Sequence, residues 1–264
     1  MPSTPVVVLD STLTNIADAI RGKNGSSDTY KPSEMPAAIT AIPSGGGEGI
    51  PREVDANGVY GAPSESFSFI MPSEAKSIAP YALRYAFYGA TGLTSVDMSS
   101  LTSIIGNGSL TATFQGCSSL QSVDLKSLKT ISGDYTLSNT FNGCTSLSNV
   151  DFTSLEKLSG GEPLSSAFKG CTALSSLSFP SLSNLTNANN VFRNVFSGCT
   201  SLKNIYFPAL KSSSFAPYNS QLSGIVNGLN GCTLHFPAAI RSTIEGMSGY
   251  PSFGGTNTTV LFDL

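Results

Sequence analysis

A four-residue block, Phe-x-Gly-Cys, returns along this chain at a nearly fixed interval, and that interval restricts the fold more than any other feature. The copies are Phe114-Gln115-Gly116-Cys117, Phe141-Asn142-Gly143-Cys144, Phe168-Lys169-Gly170-Cys171 and Phe196-Ser197-Gly198-Cys199. An earlier copy, Phe87-Tyr88-Gly89-Ala90, carries Ala in place of Cys. The phenylalanines at 87, 114, 141, 168 and 196 stand 27, 27, 27 and 28 residues apart. A period of this size marks a stacked-repeat architecture, in which each copy is too small to bury its own apolar edge and must lean on its neighbours.

Each block is followed by the same apolar grid. The first copy reads Leu93, Val96, Met98, Leu101, Ile104 and the second Leu120, Val123, Leu125, Leu128, Ile131. The third gives Leu147, Val150, Phe152, Leu155, Leu158, the fourth Leu174, Leu177, Phe179, Leu182, Leu185, and the fifth opens Leu202, Ile205, Phe207, Leu210. The spacing L-x-x-L-x-L-x-x-L is the leucine-rich-repeat signature. Its middle, as in Val123-Asp124-Leu125, alternates with period two and predicts a short strand with one face inward. The expected fold is therefore an α/β, β-rich solenoid of about five 27-residue turns with a parallel β-sheet. Phe87, Phe114, Phe141, Phe168 and Phe196 should form a ladder on the side away from the strands, as a short helical turn or extended backing. Neighbouring rings would add about 0.5–1.5 kcal/mol per pair beyond area burial.

Cys117, Cys144, Cys171 and Cys199 share one repeat position, which Ala90 fills in the first turn. Ala replaces a reduced buried Cys readily, so these thiols read as small core groups. Five cysteines, an odd number, do not suggest a disulfide framework. A zinc set would need a second convergent ligand type, and the chain holds a single histidine, His235. No metal and no cofactor is expected.

The ends differ from the middle. Asp10-Ser11-Thr12 offers caps to a helix with the apolar face Leu13, Ile16, Ala17 and Ile20, and Ser33-Glu34-Met35-Pro36 opens a second. Two such short helices need a partner surface. Residues 1–43 are therefore expected to form a helical hairpin serving attachment, and residues 44–50, containing Ser44-Gly45-Gly46-Gly47, a linker. Residues 51–86 would be an N-terminal cap with a half-repeat in Phe67–Met71 and Ile78, residues 87–231 the repeats, and residues 232–264 a C-terminal cap. In that cap, Ala238–Met247 predicts a short helix and Thr258–Leu264 a final strand.

Only 12% of residues are charged and the net charge is −3. That leaves no basic footprint for nucleic acid or anionic lipid. The longest apolar run near the start, Val6–Leu9, has no basic flank and is too short for a signal-peptide core or a membrane span. Synthesis in a cytoplasm without an export signal, and no membrane insertion, are the expectations. Catalysis finds little support: no G-x-S-x-G elbow or Walker A loop is present, and a Ser-His-Asp site would have to form around His235.

The Phe-x-Gly-Cys-x-x-Leu-x-x-Val-x-Leu turns, over roughly residues 60–240, resemble BspA-like leucine-rich repeats. That resemblance implies a parallel-strand solenoid used in bacterial surface adhesion and ligand binding. The 27-residue period is longer than that family's commoner turn. Leu13–Gly25 with Pro32-Ser33-Glu34-Met35-Pro36 resembles a module at the start of phage and prophage tail appendage proteins, and Phe253–Leu264 resembles the ends of such proteins. The second resemblance implies a virion protein of a tail tip or fibre that contacts a bacterial surface.

Candidate binding residues lie on the outward side of the strands, expected to be concave. One row reads Asp97, Asp124, Asp151, Ser178, Tyr206, with His235 next, and its neighbour Ser95, Ser122, Asn149, Ser176, Asn204. Stacked carboxylates repel unless a cation or lysine lies between them, and Lys126 is two residues along from Asp124. The expected ligand strip is Asp97, Asp124, Lys126, Asn149, Asp151, Ser178, Asn204 and Tyr206, either cation-assisted or carbohydrate-binding, against a plain solvated face. The expected role is a non-enzymatic receptor-binding component of a phage tail. Its partners would be a bacterial surface glycan or protein and, through residues 1–43, other tail proteins, with homo-oligomerisation open. A structural spacer of the tail and a bacterial surface adhesin are the alternatives.

Overall fold

The computed structural model describes residues 67–264 apart from 72, 74, 79, 186–187 and 216–219, together with the backbone of residues 6–7, 53–54 and 60–61. The helices expected before residue 43 and the linker at 44–50 lie outside the described residues. Sixteen short strands are present among those described. In chain order the first eight are β1 (Val6–Val7), β2 (Glu53–Val54), β3 (Tyr60–Gly61), β4 (Phe67–Ile70), β5 (Ser77–Ile78), β6 (Leu93–Asp97), β7 (Ser103–Ile105) and β8 (Ser122–Asp124). The remainder are β9 (Thr130–Ser132), β10 (Asn149–Asp151), β11 (Lys157–Gly161), β12 (Ser176–Ser178), β13 (Ala188–Asn189), β14 (Asn204–Tyr206), β15 (Thr233–His235) and β16 (Thr259–Leu261).

These strands stack as a parallel solenoid. The alternating segment of each repeat gives one row, β1-β4-β6-β8-β10 followed by β12-β14-β15-β16. Register follows the repeat: Asp97 pairs with Asp124 and Asp124 with Asp151, while Ser178 pairs with Tyr206 and Tyr206 with His235. Val96, Val123, Val150, Leu177, Ile205 and Leu234 point inward between these polar positions and are buried. The stack runs past the five turns counted from the Phe blocks to about seven. Segments read as caps, Phe67–Ile70 on one side and Thr233–His235 and Thr259–Leu261 on the other, join the same strand row. The expected helix near the C-terminus is a 3₁₀ turn, Ala238–Ile240, running into Arg241–Glu245.

A second parallel sheet, β5-β7-β9-β11-β13, forms another side of each turn. It grows from the last apolar position of the grid: Ile104, Ile131 and Leu158 are in register and fully buried. Just beyond, the backbone of adjacent turns comes so close that a Cβ on Gly133 would sit 2.6 Å from the carbonyl carbon of Gly106, at φ +114°. Only glycine allows that approach.

The third side, which carries Phe-x-Gly-Cys, is neither helix nor strand. Successive turns close with bonds such as Thr113 N–H to the Leu110 carbonyl and Cys117 N–H to the Phe114 carbonyl. Intervening residues take left-handed dihedrals, Ala112 at φ 53° and Asn139 at φ 55°. The alternation turns every second N–H toward the next repeat, as in Leu110 to Thr136 O, Ala112 to Ser138 O and Phe114 to Thr140 O. This arrangement pairs the backbone without a helix. It explains why Ser, Thr, Asn and Gly crowd these segments.

The phenylalanines line up as expected. Ring centroids from Phe87 through Phe114, Phe141 and Phe168 to Phe196 are 5.4, 5.7, 5.3 and 5.7 Å apart, all stacked. A second ladder, Phe152, Phe179, Phe207 and Phe236, runs under the strand ends at 5.5, 5.3 and 5.5 Å. The cysteines do more than fill space. Cys117, Cys144, Cys171 and Cys199 each donate from Sγ to the carbonyl of the Phe in the preceding turn, at 3.0, 3.1, 3.2 and 2.9 Å. Burial pushes the Cys144 thiol up to about 12. All five cysteines are unpaired and buried.

Candidate functional site

The strand face is built from the outward positions of the strand row. Where the repeat places Asp, the carboxylate folds back onto its own chain. Asp97 Oδ1 accepts from Ser99 N–H at 2.9 Å, Asp124 Oδ1 from Lys126 N–H at 3.0 Å, and Asp151 Oδ1 from Thr153 N–H at 2.9 Å. Each bond satisfies a donor where the strand ends. At the equivalent place in later turns the second residue along is proline: Ser178 precedes Pro180, Tyr206 precedes Pro208 and His235 precedes Pro237. Proline has no N–H to satisfy. The row abandons aspartate where the donor disappears.

The expected carboxylate repulsion is met by Lys126, whose Nζ lies 3.1 Å from Asp124 Oδ2. Its ammonium is held above the usual lysine range, first by the hydrogen bond and charge of Asp124, with Asp97 and Asp151 adding to the pull. Among the described residues no three His, Cys, Asp or Glu side chains converge as a metal set. Ser95, Asp97, Ser122, Asp124, Asn149 and Asp151 border a shallow trough of about 250 Å³.

Between β10 and β12 the strand row divides. The two strands belong to separate sheets, although the repeat places them in successive turns. A cavity of about 290 Å³ opens there, with Asn149, Asp151, Thr153, Ser176, Ser178 and Tyr206 among its walls. Val150 and Leu177 form its floor and are 5% and 4% exposed, slightly more than the fully covered Ile205 and Leu234 of later turns. The break is local. Backbone bonds rejoin the turns on either side, Ala173 N–H to Thr145 O at 3.2 Å and Ser183 N–H to Glu156 O at 3.0 Å. Beneath it Phe152 and Phe179 stay stacked.

Tyr206 forms the wall on the β14 side and is held rigidly. His235 stacks on it with ring centroids 4.3 Å apart. The imidazole is itself fixed between Asn204 Oδ1, 3.1 Å from Nε2, and the Asp263 carboxylate, 2.9 Å from Nδ1. On the other side Tyr206's register neighbour is the small Ser178.

Thus Asp97, Asp124, Lys126, Asn149, Asp151, Ser178 and Tyr206 line a continuous face, while Asn204 serves His235. Sequence reasoning placed Ser176 on the outward row but left it out of the ligand strip, and it missed Thr153 and Pro180 in the cavity and the supporting Asp263. The change from Asp to Ser at 178, with Pro180 beyond it, was the available signal.

The model of the BspA type leucine rich repeat region matches residues 83–223 in 6 copies, just over half of the chain. The chain belongs to the BspA-type leucine-rich-repeat family. The T. pallidum leucine-rich-repeat protein TpLRR is similar at 19% identity and a TM-score of 0.39, covering 74% of this chain and 87% of that one. A leucine-rich-repeat protein of Bacteroides ovatus is similar at 18% identity and a TM-score of 0.21, covering 70% of this chain and 64% of that one. No curated protein matches. Among the described residues no helix is long and apolar enough to cross a membrane.

Proposed function

We propose that this chain is a non-enzymatic binding protein of a phage or prophage tail, which recognises a bacterial surface glycan or protein through the strand face of its repeats. The observation that carries the binding role is the continuous polar face from Ser95 to Tyr206, opened by a cavity over a rigid core. Its walls are hydroxyls, an amide and carboxylates, suited to a hydrogen-bonding partner. A membership in the BspA-type family agrees with a binding or adhesin-like role. The tail setting rests on the likeness of Leu13–Gly25, Pro32–Pro36 and Phe253–Leu264 to tail appendage proteins. In this reading residues 1–43 attach the chain to other tail proteins and the virion carries it.

A spacer role within the tail is the competing reading, favoured by the capping bonds of Asp97, Asp124 and Asp151, which account for those carboxylates without a ligand. Binding of the purified full chain to whole cells and to wall polysaccharide separates the two. Asp124→Asn with Asp151→Asn keeps an oxygen for each cap but removes the charge. The binding role expects weaker attachment to cells from this pair. Full-chain protein that attaches to neither cells nor wall polysaccharide would leave the spacer role standing.

A further inference from the structure

Three features meet at one place: a division between two sheets, a small cavity and an aromatic wall, Tyr206, that borders it. Asp151 and Asn149 stand on one side of the division and Tyr206 on the other, with Ser176 and Ser178 between them. Ser178 is too small to cover the Tyr206 ring, and His235 has already taken the far face of that ring. The tyrosine therefore presents one flat, immobilised apolar face over a slot whose opposite wall is a carboxylate and an amide. Asp151 Oδ1 is occupied by the Thr153 backbone N–H and hydroxyl, which fixes the carboxylate and leaves Oδ2 free of both bonds, on a residue that borders the slot.

Shape narrows the occupant. At about 290 Å³ the hollow falls just under the usual range of ligand pockets and is as open to solvent as the trough beside it. An extended peptide seeking the open strand edges could not run along the slot, because backbone bonds stitch it at Thr145–Ala173 and Glu156–Ser183. Stacked Phe152 and Phe179 close it from below. What enters must come from the strand face and be compact, with a polar rim and an apolar flat side. Negative groups are disfavoured, since Asp151 stands in the slot and Asp124 is its register neighbour.

We propose that the gap between β10 and β12 seats one neutral pyranose ring of a glycan, with Asp151 and Asn149 taking its hydroxyls and Tyr206 stacking on its C–H face. The assignment rests on the reading of this face as the binding surface and adds the substrate class and the seat. Asp124 and Asp97 extend the trough from there, so a second sugar of a chain would lie toward β8.

The test uses the full chain and a panel of methyl glycosides of glucose, galactose, mannose and N-acetylglucosamine, with methyl glucuronide as the charged control. Saturation-transfer NMR should show contact from the C–H face of at least one neutral glycoside and none from the glucuronide. Ser178→Trp fills the slot and should abolish the signal. Asp151→Asn, which loses a charge-assisted hydrogen bond, should weaken binding about tenfold. Should Ser178→Trp fail to fold, Tyr206→Leu replaces it, since it removes the stacking face at a partly exposed position. No transfer from any neutral glycoside, or full transfer in a folded Ser178→Trp protein, overturns the proposal. Whole-cell binding runs in parallel. If cells bind the chain but periodate oxidation of their glycans leaves binding intact while protease treatment removes it, the pyranose seat falls and the receptor-binding reading survives. If cells do not bind and a glycoside does, the receptor reading falls and the seat survives.

Discussion

Replacing Phe141 by Leu tests whether ring stacking, and not burial alone, sets the strength of the phenylalanine ladder. Phe141 is fully buried and stacks on two rings, Phe114 at 5.7 Å and Phe168 at 5.3 Å. Phe196 is equally buried but has one ring partner in the ladder, Phe168 at 5.7 Å. Leucine keeps most of the apolar bulk and removes the stacking. At about 0.5–1.5 kcal/mol per aromatic pair, Phe141→Leu should lose about 1–3 kcal/mol from stacking and Phe196→Leu about half of that. Cavity terms add to both. The assay is equilibrium urea unfolding followed by far-UV circular dichroism and by tyrosine fluorescence, since the chain has nine Tyr and no Trp. With a slope of about 2 kcal/mol/M, the Phe141 variant's midpoint should fall by about 0.5–1.5 M. The slope must stay unchanged in both variants, because a repeat stack that lost cooperativity would unfold in parts. Equal losses at 141 and 196, at constant slope, would refute the stacking contribution.

Three further outcomes follow from the packing. The Cys144 and Cys232 thiols should be inert to a disulfide reagent at pH 8 until denaturant is added, because burial pushes Cys144 up to about 12 and Cys232 up to about 11. A folded-state value raised above the unfolded one means their contribution to stability is fully present below about pH 9 and is lost as pH climbs through the folded value; thermal midpoints that stay flat from pH 8 to 11 would contradict this. Gly133→Ala should destabilise by about 2–3 kcal/mol or more, because it combines a left-handed φ with a collision at 2.6 Å, whereas Gly143→Ala, with contacts no closer than 3.7 Å, should carry only the dihedral strain of about 1 kcal/mol. Chemical denaturation of the pair, with equal losses, would show that the close approach at Gly133 relaxes freely. Lys126→Gln should lower the thermal midpoint slightly in low salt by leaving Asp97, Asp124 and Asp151 uncompensated, and added sodium chloride should erase the difference.

The repeat made most of the fold legible in advance. Phe-x-Gly-Cys and its apolar grid located the strand row, its register and the aromatic ladder, because each is a single position copied at a fixed interval. What the grid concealed was the division of labour around the turn. Ile104, Ile131 and Leu158 look like ordinary core positions, and nothing in their identity announces a second sheet. Left-handed residues such as Ala112, Asn139 and Ser166 recur at one repeat position but share no side-chain type that marks the conformation, so the ribbon carrying the phenylalanines read as helix or extended chain. The turn count fell short because Phe67–Ile70, Thr233–His235 and Thr259–Leu261 keep the strand and lose the Phe-x-Gly-Cys block.

For the candidate site, the informative residues are those the fold does not require. Asp97, Asp124 and Asp151 each satisfy an N–H two residues along, so their recurrence follows from the backbone and says little about a ligand. Where Pro180, Pro208 and Pro237 remove that donor, the outward position is released from capping and becomes Ser178, Tyr206 and His235. Those three are arranged as a gap, a flat ring and a brace, and the brace is held in turn by Asn204 and Asp263. A surface under no demand beyond solubility would have no reason to immobilise a half-exposed tyrosine beside an open slot. Asp151 is the one residue that belongs to both regimes, capping the Thr153 N–H through Oδ1 and bordering the slot, which is why its replacement by Asn separates structure from binding most cleanly.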